Sequence, residues 1–321
     1  MWAQHSIART FSLRREDVAV VPRDFDLSDE PFFFNLGRPQ KADPNDERDR
    51  VKLLCLLAVL LTGLGGPPLV AAPPVLVVTA GGATRQFTGD ELLARHDSAT
   101  LGVPHDPAYG RAMSYRAVPL SALLSALPPD SADTIQARAM DGFVAELPRT
   151  LIGGAAVPWL AVEEPAHPWP YLQGKTVSAG PFYLIWQDPE HAEISTEQWP
   201  YALAALSLVP SPIQRWPAIA VDAFVPEDAP ARRGQAVFIA NCLPCHRLGG
   251  SGEGTVGPDL LRPMPAIAYF TEAGLHALIR NPAAVRSWPA QQMPAFDAAA
   301  IGDSDIDALI VYLQYLAARS K

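Results

Sequence analysis

Asn241-Cys242-Leu243-Pro244-Cys245-His246 decides how the rest of this 321-residue chain is read. Two cysteines separated by two residues and followed at once by histidine put two thiols and an imidazole on one turn. The thiols can form thioethers to the vinyl groups of a haem while the imidazole takes an axial position on its iron. The same spacing also serves redox dithiols and zinc half-sites. Zinc is disfavoured because the third cysteine, Cys55, stands far away in an apolar run and no second pair exists. A dithiol site needs a strand-to-helix setting, which the flanking sequence does not clearly offer. No disulfide framework can be built from three cysteines so placed.

Four features around the motif agree with one another. Upstream, residues 231–240 read as a short helix with Gly234 and Phe238 on one face. Downstream comes Gly257-Pro258-Asp259-Leu260, and then Gln292-Met293-Pro294-Ala295-Phe296, whose methionine lies 47 positions past His246. The chain closes on a helix from Asp303 to Leu316. Acidic residues and Ser304, a candidate cap, stand at its start, and Ile306, Leu309, Leu313 and Leu316 repeat at helical spacing.

These residues resemble class I c-type cytochromes, and the resemblance covers the carboxy-terminal domain, 221–321. It implies an all-α domain with one covalent haem c held by Cys242 and Cys245. It also implies axial ligation by His246 and Met293, and a Pro258 that packs beside the histidine while a carbonyl accepts its N–H. Met264 competes for the sixth position, but it follows His246 by only 18 residues and directly after the proline loop. His276 lies in a helical stretch, 271–280, where a solvated histidine is expected. With both axial positions filled, the resemblance implies single-electron transfer rather than catalysis.

The middle of the chain is of mixed α and β character. Val75 to Val78 reads as a buried strand, Gly81-Gly82 as a turn, and Thr88 as the cap of a short helix. Tyr115 to Leu120 leads into a helix over 121–127. Residues 134–139 and 143–147 read as strands joined at Asp141-Gly142. From Trp159 to Trp216 tryptophans and prolines dominate, and no regular structure is legible. Those aromatics suit a core first, and a ligand groove or partner surface second. Residues 216–233, rich in Pro, Ala and acids, read as a linker.

The order of these pieces, with Tyr115 to Leu124, Asp141-Gly142-Phe143 and Lys175 to Trp186, resembles the molybdopterin-binding fold of the sulfite oxidase family. The resemblance implies a sulfite oxidase-like domain at 73–220. Catalytic members bind molybdenum through a cysteine, and no cysteine lies between Pro73 and Asn241. Without that soft thiolate, and with eight Lys and Arg against fourteen acids over 75–220, molybdopterin is not expected. The fold class is therefore α+β, a mixed α/β domain followed by the helical one.

Residues 1–50 are polar, either an extension or a mis-assigned gene start with Val51 as the true initiator. Residues 51–72 carry a basic flank, an apolar run and small residues, the pattern of an export signal peptide. That run is shorter than the roughly 20 apolar residues a span requires, so no membrane span is expected in the mature chain, and the expected location is the periplasm. The net charge of −9 and the absence of a Lys/Arg run exclude a nucleic-acid partner. Thirty-three prolines argue for short elements and many turns. The expected activity is electron transfer to a redox protein such as a periplasmic dehydrogenase or terminal oxidase, with the first module docking that partner or sensing a ligand. Two other readings are kept. In one the first module is an oxidoreductase domain feeding the haem. In the other the chain is a subunit of a larger complex.

Overall fold

The computed structural model describes residues 73–319, apart from 193 and 290. The signal-peptide and extension readings fall on residues outside that range. The described chain is α+β. Its first part is built on two sheets, one of five strands and one of four.

β1 (Val75–Ala80) turns through Gly81-Gly82 into β2 (Ala83–Thr88). Both glycines have positive φ, and the fixed turn sets the register Val77 to Gln86. Thr88 caps α1 (Gly89–Leu93) in a capping box with Glu91. β3 (Ala99–Asp106) and β4 (Arg111–Pro119) form a hairpin, and α2 (Leu120–Leu124) follows. That helix is shorter than the expected 121–127, because Ala126 and Leu127 continue only as tighter turns onto Leu123 and Leu124. β5 (Thr134–Ala139) and β6 (Val144–Pro148) pair as expected around Asp141-Gly142.

Three strands appear where no structure was legible: β7 (Val157–Val162), β8 (Phe182–Gln187) and β9 (Leu203–Val209). β8 is buried on both faces from Phe182 to Trp186, so it has no alternation to read. β9 runs parallel to β1 and antiparallel to β5, joining the ends of the module. The aromatics are core: Tyr115, Trp169, Tyr183, Trp199 and Tyr201 form edge-on or tilted contacts with centroids 4.9 to 6.4 Å apart. At their centre the buried Asp106 accepts from Tyr115 Oη at 2.8 Å and Tyr183 Oη at 3.3 Å, and from the backbone of Ala108 and Tyr109. Tyr171 is the exception, on the surface.

From Pro212 onward the regular elements among the described residues are helices, with one isolated bridge between Leu248 and Ser251. They are α3 (Pro212–Arg215), α4 (Pro230–Asn241), α5 (Ala266–Tyr269), α6 (Glu272–Arg280), α7 (Pro282–Val285) and α8 (Asp303–Arg319). None of the described helices is long and apolar enough to cross a membrane. α4 and α8 cross at Gly234, where an added Cβ would stand 2.0 Å from the Ala308 carbonyl oxygen. Ser304 lies inside the first turn of α8, so it does not take the cap position expected of it.

The segment read as a linker is structured. Ile219 and Val221 are buried in the second core, and the Ile219 carbonyl accepts from Tyr312 Oη and from Gln235 Nε2, each at 2.7 Å. Proline and acidic content misled the reading, since two apolar residues suffice to pin a short segment that has carbonyls to offer.

The two cores also meet through a buried polar cluster. Glu146 on β6 is bonded to Arg215 at 2.5 Å and to Gln136 at 3.0 Å, while Arg215 and Arg138 both reach Glu253 from the haem-motif side. Burial raises the Glu146 carboxyl, against the lowering effect of Arg215 and Gln136. Arg215→Ala strands a carboxylate that is almost wholly buried, and is expected to cost about 3 kcal/mol. That deficit shrinks as pH falls, because a carboxyl whose folded-state pKa lies above its unfolded value binds its proton preferentially in the folded state. Denaturant titrations at pH values above and below neutrality check both the size and the sign.

Candidate haem site

The cysteine motif follows α4 without a break. Cys242 N and Leu243 N both bond the Phe238 carbonyl, and His246 N bonds that of Cys242 at 2.8 Å, so the motif is one further turn off the helix end. Leu243 is buried as the anchor, and Cys242, Cys245 and His246 are half-buried. Burial, and secondarily Glu197, pushes both thiols up to about 12. Such thiols stay protonated at neutral pH, unlike the low-pKa thiolate of a redox dithiol. Among the described residues no group of three or more His, Cys, Asp or Glu side chains is placed to hold a metal ion.

His246 Nδ1 lies 2.8 Å from the Pro258 carbonyl oxygen. Donating there fixes the tautomer and leaves Nε2 with its lone pair free. Burial pulls the imidazole below its usual range, opposed by that bond, and the neutral form is the one that can ligate iron. Gly257 lets the loop close on the ring, for a Cβ there would stand 2.4 Å from His246 Cε1. Gly257 N in turn bonds the Cys245 carbonyl at 2.8 Å.

Met293 is half-buried and packs against the second core, whereas Met264 is 49% exposed. His276 is on α6 with Nε2 3.4 Å from Asp303, a surface pairing. Beside Cys245 and Val256 opens a cleft of about 420 Å³, also walled by Gln292 and Pro294 of the methionine loop. The donor set fits a haem: two thiols, an oriented imidazole, a thioether on a neighbouring loop, and space next to the second cysteine.

Two residues of the site carried no expected role. Asp259 organises the loop, its carboxylate accepting from Gly249, Gly250, Leu261 and Arg262 N–H at 2.6 to 3.1 Å. Burial raises that carboxyl, but the four backbone bonds outweigh it and hold it below the usual range. An Asp whose carboxylate takes the N–H two residues on is an Asx turn, a role the residue type itself suggests. Glu197, from the sheet part, lines the cleft beside Cys245; nothing local in the sequence marks it.

Residues 229–313 match the family of cytochrome c oxidase, cbb3-type, subunit III. The carboxy-terminal part is thus a class I cytochrome c domain, with the electron-transfer role and haem c that such a domain implies. No curated protein matches the chain.

Proposed function

We propose that the protein is an exported, periplasmic electron-transfer cytochrome with one haem c, attached through Cys242 and Cys245. His246 and Met293 are its axial ligands, and the Pro258 carbonyl orients the histidine. The observation that carries this reading is the His246 to Pro258 hydrogen bond on a turn that also presents both cysteines. When bound, the haem supplies a one-electron couple, and a soft thioether ligand favours its ferrous state. The chain's own part is to hold the ring fixed, keep the thiols buried and bring the methionine loop to the same crevice.

We take the domain bounds as 73–220 and 221–321; the two apolar cores run over Leu76 to Leu208 and Ile219 to Leu316, so Ile219, just before that boundary, packs with the second core. The first is a sulfite oxidase-like, molybdopterin-binding-like module without the molybdenum cysteine, which docks a redox partner or senses a ligand. The match to an oxidase subunit favours a second reading, an electron-transfer subunit of a larger respiratory complex.

Met293→Ala tests the ligand set. Loss of the sulfur-to-iron absorption band in the red and a lower midpoint potential are expected. The same loss from Met264→Ala, with Met293→Ala silent, moves the ligand. Met293 packing against the core while Met264 faces solvent supports the first outcome.

A further inference from the structure

The sheet module does not hang beside the cysteine motif; it is bonded to it on both flanks. Val144 N donates to the Pro244 carbonyl between the two cysteines at 2.9 Å, and Thr255 N donates to the Gly142 carbonyl at 3.2 Å. Gly142 has positive φ, and a Cβ there would meet Thr255 Oγ1. Ser195 bonds the side chain of Asn241, the residue just before Cys242. The same Ser195 caps the turn Thr196–Gln198, and Gln198 is held by Trp186 Nε1 on its carbonyl at 2.8 Å. Glu197 is therefore carried to the cysteines on a turn fixed at both ends, and it shares their cleft with Trp199 and Tyr201.

We propose that both modules build the haem crevice, and that Glu197 is a potential-setting residue whose carboxylate, at the cysteine edge of the porphyrin, lowers the midpoint potential when ionised. This rests on the reading that Cys242 and Cys245 carry haem. Ferric haem bears one more positive charge than ferrous, so a nearby anion favours the ferric state, the more strongly in a partly desolvated crevice. The carboxylate has no hydrogen bond or ion pair among the described residues. Half-buried in the cleft, it is pushed up to about 7 by burial, and an unpartnered, partly desolvated carboxylate is costly enough to ask what it serves.

Among the described residues no neighbouring cation is paired with it. Lys175, in the same cleft, donates to Tyr201 Oη at 2.8 Å, and Asp141 adds a like charge. Glu146, on the adjoining strand, is taken by Arg215. On α4, Asn241 is engaged by Ser195, Arg232 bonds the Val225 and Pro226 carbonyls, and Arg233 pairs with Asp305. Tyr201, the two high-pKa thiols and His246, bonded to Pro258, complete the set.

The test is the midpoint potential of haem-loaded wild type, Glu197→Gln and Glu197→Asp, full chains, from about pH 5 to about pH 9. Wild type and E197Q should coincide at the acid end and separate above neutrality with E197Q higher, and E197D should restore a pH-dependent fall. Superposed curves, or an offset equal at every pH as a packing change would give, overturn the proposal. A wild-type protein without covalent pigment overturns the haem reading instead, and is seen before any titration begins.

Discussion

Cys242→Ala combined with Cys245→Ala is expected to abolish covalent pigment, so that haem staining after denaturing electrophoresis falls from full to none. In the attachment proposed above the thioethers are the only bonds that would survive denaturation, since axial ligation by His246 and Met293 would end when the fold does. Each single variant should retain pigment through the remaining cysteine at reduced yield. The fold should survive, because Leu243 is the buried anchor of the turn and Cys242, which packs against the same core, loses only its sulfur. Staining that persists in the double variant sinks the assignment of these thiols.

Gly234→Val is expected to destabilise the carboxy-terminal core by at least about 3 kcal/mol. The closest atoms to a new Cβ are backbone, the Ala308 oxygen at 2.0 Å and its carbon at 2.6 Å, followed by Tyr312 Cβ at 2.7 Å. No rotamer relieves such a contact; α4 and α8 must move apart. That displacement breaks the packing of Phe238 on Tyr312, rings 5.8 Å apart, and the Tyr312 bond to Ile219. Because α4 runs directly into the cysteine motif, haem yield should drop together with the denaturation midpoint. An unchanged midpoint contradicts the crossing.

The site was legible where chemistry demands adjacency. Cys242, Cys245 and His246 must share a turn, and the proline loop and methionine loop each carry a compact local signature. Helical spacing puts Gly234 and Phe238 on one face, but that this face meets α8 is set by Ala308 and Tyr312 far along the chain. What could not be read were features set by distant partners. β8 is buried on both faces, so Phe182 to Gln187 lacks period-two alternation, and its neighbour β7 carries Pro158 and Trp159. Residues 216–233 have a linker's composition, and their order comes from Tyr312 and Tyr315, far along the chain, with Gln235 on α4. Glu197 acquires its place only because Ser195 meets Asn241 across 46 residues. No local pattern encodes such a meeting.

The contacts between the modules alter what fusion means here. A tether raises effective concentration while leaving the partner free to rotate. Backbone bonds on both sides of the cysteine pair, with the Arg215 cluster behind them, instead fix one wall of the crevice. On the reading proposed above, a docking or sensing module so placed would act on the haem through charge and access.

Metal analysis of the purified protein, with its visible spectrum taken before and after reduction, tests whether Cys242, Cys245 and His246 hold a haem. One covalently held iron per chain, a low-spin c-type spectrum that sharpens on reduction, and no second stoichiometric metal are the predicted result. Zinc in place of iron, or a colourless protein with both thiols free, would contradict it.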